Sequence, residues 1–182
     1  KPFDAVINSQ ASRVGTIQYV FTLVDFISGA AFLGLENVES IDILVEFGAT
    51  TIYSNTLELE NGTTGTYRSG AAVIDIPLYK NTVVTIDLIP PSGSSDPTLV
   101  GEILLGKTIS LGITEYTPST GIIDYSSKTQ DEFGNFYIVP RAYSKRSDAK
   151  VKVFPWQVNY VVKTLASFRS IPVVWIINDR EE

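Results

Sequence analysis

Through the first ninety residues Val, Ile, Thr, Tyr and Phe gather into short runs separated by Gly, Asn, Ser and Pro. That texture predicts antiparallel strands. They fall near residues 16–26, 31–35, 40–47, 50–59, 71–77 and 82–89, with another apolar strand over 98–105. Asn61-Gly62, followed by Thr63-Thr64-Gly65, marks a turn, since Asn and Gly accept positive φ at little cost. Strands spaced about ten residues apart with turn chemistry between them favour a sandwich or jelly roll over a parallel sheet. The stretch 90–97, Pro-Pro-Ser-Gly-Ser-Ser-Asp-Pro, is either an interdomain linker or a long sandwich loop.

The pattern changes in the second half. Residues 111–125 hold no sustained period and contain Gly112, Pro118 and Gly121, which predicts an irregular surface excursion. Residues 148–154 then alternate, placing Lys150 and Lys152 on one face and Val151 and Val153 on the other. Pro155 is suited to open a helix, and Val158, Val161, Leu165 and Phe168 follow in steps of three and four as one apolar stripe. Arg169 suits the dipole at the C-terminal end, and Ser170-Ile171-Pro172 stops the helix because the residue before proline avoids helical angles. Residues 171–177 read as a buried strand, with Trp175 in the core. The expected fold is mainly β, α+β overall. An antiparallel sandwich or jelly roll over residues 1–106 precedes a smaller β-α-β unit over 107–182, whose helix, 155–169, packs on a sheet containing 148–154 and 171–177.

Composition narrows the function. A hydrophobic fraction of 44% is ample for a core. A net charge of −6 argues against a nucleic-acid surface, which needs clustered cations. The basic residues that do cluster, Arg141, Lys145, Arg146, Lys150 and Lys152, read as a solvated face. The chain has no cysteine and no histidine. This removes disulfides, thiolate and imidazole metal sites, and nucleophiles activated by histidine. No apolar run approaches the roughly 20 residues that a membrane helix needs. Methionine is absent too, so the chain is expected to be a fragment or a processed product.

Several carboxylates lie close enough in sequence to carry chemistry. Asp124, Asp131, Glu132 and Asn135 lie within twelve residues of one another, but their spacing fits no calcium loop. Asp131 and Glu132 beside Asp124 could be an acid–base pair for glycoside hydrolysis, which needs two carboxyls about 5–10 Å apart. Solvated turn residues are the simpler reading, and no catalytic residue, metal or cofactor is assigned. Tyr116, Tyr125, Tyr137, Tyr143 and Trp156 sit near predicted loops or strand ends, as ring-stacking residues do, although aromatics in β proteins mostly pack in cores.

Three segments, GIIDYSSKTQDEFGN from Gly121, RAYSKRSDAK from Arg141 and LASFRSIPVVWI from Leu165, resemble a family of structural proteins from the virions of tailed bacteriophages. The resemblance covers residues 98–177 and continues more weakly through Leu33-Gly34-Leu35 and Phe3-Asp4. The family's opening FDG…T reads Phe3-Asp4-Ala5 here, and the chain stops at Asp179-Arg180-Glu181-Glu182 where relatives continue with further strands. The resemblance implies a tail, baseplate or tail-fibre adaptor protein of the virion with a galactose-binding-like jelly-roll first half. Such a protein is non-enzymatic, binds other virion proteins and forms a symmetric homo-oligomer. Some members are labelled carbohydrate-binding, so the alternative is a module that attaches the virion to host surface glycan. The residues expected at a subunit or glycan contact are Tyr116, Tyr125, Asp131, Glu132 and Trp156. A capsule depolymerase is disfavoured, since such enzymes use long repetitive β-helices and no repeat is present.

Overall fold

The computed structural model describes residues 3, 9–60, 65–115, 118–130, 133–141, 143–171 and 173–176. The Asn61-Gly62 turn and the Asp4-Ala5 part of the opening motif lie outside the described residues. The chain divides into two compact units, Lys1–Ile109 and Ser110–Glu182. It is mainly β with a single helix near the C-terminal end.

The first unit holds β1 (Ala11–Val14), β2 (Ile17–Leu23), β3 (Gly29–Leu33), β4 (Ser40–Phe47), β5 (Thr50–Glu58), β6 (Gly70–Val73), β7 (Thr82–Ile89), β8 (Pro97–Val100) and β9 (Glu102–Gly106). One sheet runs β2-β7-β4-β5; a second runs β6-β3-β9, and β1 pairs with β8. All pairings are antiparallel. β8 and β9 are two halves of one extended stretch, broken at Gly101, whose N–H is shared between the carbonyls of Leu33 at 3.0 Å and Gly34 at 3.1 Å. Apart from the β4–β5 hairpin and that break, each connection crosses from one sheet to the other, which is jelly-roll order. The hairpin turns at Gly48-Ala49, where Gly48 takes φ +62°, a conformation that costs glycine little.

The alternation along these strands explains why two faces meet. In β4 and β7, register places Ile41 opposite Leu88, Ile43 opposite Ile86 and Val45 opposite Val84, and all six are fully buried. Phe32, Val73 and Ile103 of the second sheet and Val100 of β8 join them in one cluster. Each such side chain contributes about 1.5–3 kcal/mol when taken from water. Residues 90–97 join β7 to β8 inside this unit. Asn37, in the left-handed region at φ +53°, fastens the loop by donating to the Asp96 carbonyl at 2.7 Å and accepting from the Ser94 hydroxyl at 3.0 Å. The stretch is therefore a loop and not an interdomain linker.

The second unit departs further from expectation. It holds β10 (Ile113–Thr114), β11 (Ser119–Asp124), β12 (Ser127–Gln130), β13 (Phe136–Val139), β14 (Tyr143–Asp148), β15 (Val151–Lys152) and α1 (Val158–Ser167), preceded by a 3₁₀ turn over Pro155–Gln157. Part of the region read as irregular is thus strand β11. The alternating stretch 148–154 yields only the two-residue β15, paired with β10. That crossing needs Gly112, because a Cβ there would lie 2.5 Å from the Lys152 carbonyl oxygen and φ is +143°. Residues 173–176 form no strand, and Trp175 is 59% exposed. Among the described residues no strand makes an extensive contact with α1, and Thr164 is the helix's one buried residue. The expected β-α-β unit is therefore not formed among the described residues. An apolar run becomes a strand only when a neighbouring strand pairs with it, and no described strand pairs with the run 173–176.

Candidate assembly surface

Strands β11 to β14 form one long hairpin. β11 pairs with β14 from Ser119↔Asp148 to Asp124↔Tyr143, and β12 pairs with β13 from Ser127↔Val139 to Gln130↔Phe136. Between these ladders the register shifts by one residue, from Asp124↔Tyr143 to Ser127↔Val139, as at a bulge. Pro140 sits in it, a position that suits a residue with no N–H to donate. Two bonds to Ser126 hold the bend: its hydroxyl accepts from the Arg141 N–H at 3.1 Å, and its own N–H donates to the Asp124 carboxylate at 2.9 Å. At the far end the Gln130 side chain donates to the Gly134 carbonyl at 3.2 Å, with Gly134 at φ +86°.

Register sorts the side chains onto two faces. One carries Ile123, Tyr125, Tyr137 and Val139; the other carries Ile122, Phe136, Ile138 and Tyr143. All eight are exposed, Phe136 to 72%, and Phe133 at the turn reaches 88%. A ribbon with one wet and one packed face would alternate apolar with polar. Here Phe136-Tyr137-Ile138-Val139 is continuously apolar, the pattern of a strand covered on both sides. Each strand also has a partner along one edge only within this ribbon, leaving the other edge able to pair.

Charges on the ribbon are spent locally. Arg146 and Asp148 are joined at 2.9 Å and 3.2 Å, an exposed pair. Hydrogen bonds from Ser126 hold the Asp124 carboxyl below the usual carboxylate range, with Lys128 adding a smaller pull in the same direction. A general acid needs the opposite displacement, and what the geometry shows is the Asp124 carboxylate tied to the bend through the Ser126 N–H. Among the described residues no group of three or more acidic side chains could hold a metal ion, and no helix is long and apolar enough to cross a membrane.

Of the contact residues expected from sequence, Tyr125 lies on the ribbon, its hydroxyl sharing a 2.9 Å hydrogen bond with that of Ser144. Trp156 stands in the 3₁₀ turn, 75% exposed, stacked flat on Phe154 with ring centroids 4.7 Å apart. No contact joins these two among the described residues. Tyr116, Asp131 and Glu132 lie outside the described residues. Sequence reasoning passed over Ile122, Phe136 and Ile138, although the four-residue apolar run was visible. No family model, curated protein or solved structure matches the chain.

Proposed function

We propose that this chain is a non-enzymatic structural subunit of a tailed-bacteriophage virion, in the tail, baseplate or fibre-adaptor region, that works by assembly. The observation that carries the assembly reading is the second unit's lack of a core: none of its described hydrophobic residues is buried. A lone two-stranded hairpin is marginal in water at best, so this ribbon gains its stability from a covering surface. The virion setting comes from the resemblance carried by residues 98–177. Cryo-electron microscopy of particles containing the polypeptide tests both parts. Density in fixed stoichiometry at a symmetric tail junction is the expected result, and particles without such density sink the proposal.

Glycan binding is a second reading with one observation in its favour, the exposed flat pair of Phe154 and Trp156, a shape that suits stacking on a sugar ring. On that reading, Trp156→Ala abolishes retention on a glycan array. Equal retention of the variant and the parent chain, or no retention of either, removes it.

A further inference from the structure

The four-stranded sheet of the first unit ends on an open edge, β5, whose backbone specifies its own partner whatever the setting of the chain. We infer that β5 pairs antiparallel with the β5 of a second copy about a two-fold axis at Asn55, joining two four-stranded sheets into one.

β5 closes the order β2-β7-β4-β5 and is, at nine residues, the longest strand described. Edge strands are ordinarily shielded by lysine, proline, a bulge or a covering segment. Residues 50–57, Thr-Thr-Ile-Tyr-Ser-Asn-Thr-Leu, contain neither proline nor charge. The bulge falls early: Val45 faces Tyr53 and Glu46 faces Thr51, which leaves Ile52 extra and residues 53–58 regular. At the other end of the sheet, by contrast, Phe3 stands edge-on against Tyr19 and Phe21 of β2.

The phase of the hydrogen bonds identifies the open groups. The Leu59 N–H donates to the Glu39 carbonyl at 2.9 Å. A bond so placed flanks a widely spaced pair, here Ser40↔Glu58, so Tyr53, Asn55 and Leu57 exchange bonds with β4 while Ser54, Thr56 and Glu58 turn theirs outward. Arg68 takes one of these, its side chain donating to the Glu58 carbonyl at 2.8 Å. Among the described residues nothing bonds to the backbone N–H and carbonyl of Ser54 or Thr56.

One register uses all of these groups. With Asn55 opposite the partner's Asn55, Ser54 faces Thr56 on both sides of the axis, and each such pair exchanges two backbone bonds. Opposing Ser54 to itself would set Thr56 against the bulged Ile52, and opposing Thr56 to itself would set Ser54 against the Glu58 carbonyl that Arg68 holds. Side chains match in the same register. Tyr53 faces Leu57, and the Thr56 hydroxyl, which donates to Asp42 at 2.6 Å, can still accept from the Ser54 hydroxyl opposite. The Asn55 amide uses one N–H on the Tyr53 hydroxyl at 3.0 Å, leaving its other N–H and its oxygen to bond its counterpart. No like charges are opposed. The two Glu58 residues lie about 20 Å apart along the joint, and Asp42 and Asp75, bonded to Thr56 and Tyr53, stand beside residues that face Ser54 and Leu57.

The chain has no cysteine, so single introduced thiols report the register. In Asn55→Cys the two thiols meet at the axis with Cα atoms about 4.5 Å apart, within the range a disulfide bridges. Oxidation of the full chain by oxygen with a copper–phenanthroline catalyst is expected to give a covalent pair of 19.9 kDa chains at least about tenfold faster than for Gln18→Cys, an exposed control on β2. Ser54→Cys alone and Thr56→Cys alone should react at the control rate, because their thiols would sit on Cα atoms about 8 Å apart. Mixed with each other they should cross-link fast. Urea above the unfolding transition should abolish every difference from the control. Asn55→Cys oxidising at the control rate overturns the edge contact, as does a difference that persists in urea. Ser54→Cys or Thr56→Cys linking to itself as fast as Asn55→Cys overturns the register, and the inference with it. The virion reading survives any of these results, since the particle density tests it separately.

Discussion

The two units draw on similar residues and spend them in opposite ways. All eighteen buried hydrophobic residues described belong to Lys1–Ile109, whereas twenty of the large hydrophobic residues left exposed belong to Ser110–Glu182, against eight in the first unit. Charge separates them as well. The first unit has five basic and twelve acidic residues, net −7, and the second has nine and eight, net +1. One unit has closed its sheets on each other and keeps a strongly charged, solvating exterior. The other has strands, but none of its described hydrophobic side chains is buried over them. Strand formation and core formation are thus separable steps, and only the second supplies substantial free energy in water.

The sharpest way to break that comparison is to truncate one phenylalanine in each unit. Phe32 is fully buried between the sheets, and Phe32→Ala should cost about 3–5 kcal/mol. Phe136→Ala, on the ribbon, should change the stability of the dilute chain by less than about 0.5 kcal/mol. Urea unfolding followed by circular dichroism measures both, and equal losses would show that the ribbon is already covered within one copy. Amide hydrogen exchange sharpens the result residue by residue. Ile43 and Ile86, paired in register at the centre of the four-stranded sheet, should exchange only by global unfolding of the first unit. Ile122 and Ile138 should exchange quickly in the dilute chain and slow on assembly. Slow exchange there at every dilution would contradict the unsupported ribbon.

How far the sequence could be read follows the same division. Strands 40–47 and 82–89 were legible to the residue, because one buried face and one wet face impose strict alternation and register keeps it so. The helix was legible by its three- and four-residue spacing, although Val158 and Leu165 of the predicted stripe are exposed and Thr164 is the residue buried. What failed were inferences of burial: Trp175 and the run 173–176 looked internal because apolar runs normally are. Hydrophobicity reports that a surface will be covered, not that the same chain covers it. The hairpin was missed over 119–124 because Gly121 and the isoleucine pair Ile122-Ile123 hide the period, each isoleucine serving a different face.

A smaller effect probes the loop that belongs to the well-packed unit. Asn37 holds residues 94–96 through two side-chain hydrogen bonds and sits at φ +53°, where asparagine is better tolerated than most residues. Asn37→Ala loses both bonds and keeps the unfavourable backbone, so a loss of about 1–2 kcal/mol is expected in the same urea measurement. Asn37→Gly relieves the backbone while still losing the bonds and should recover part of that loss. If neither variant shifts the midpoint, the two Asn37 bonds do not fasten the loop to the sandwich.

The smallest effect lies at the bulge of the ribbon and concerns pH. The Ser126 hydrogen bonds lower the Asp124 pKa in the folded state. A group whose folded pKa is depressed contributes its stabilisation above the unfolded value and loses it as pH falls through the folded one. The bulge should therefore be fully held from neutrality down to the ordinary carboxylate range and loosen only below it. Full exposure keeps the effect local, so the probe is the Ser126 amide resonance rather than a global midpoint. In the parent chain that resonance should follow the protonation of Asp124, with a midpoint below the usual carboxylate value. Asp124→Asn retains a side-chain oxygen to accept the Ser126 N–H but has no proton to gain, and its amide should stay fixed through the acid range. A Ser126 resonance that titrates identically in both chains would show that some other carboxylate governs the bend. The ribbon's own local bonds would then contribute even less to its shape, and the covering neighbour correspondingly more.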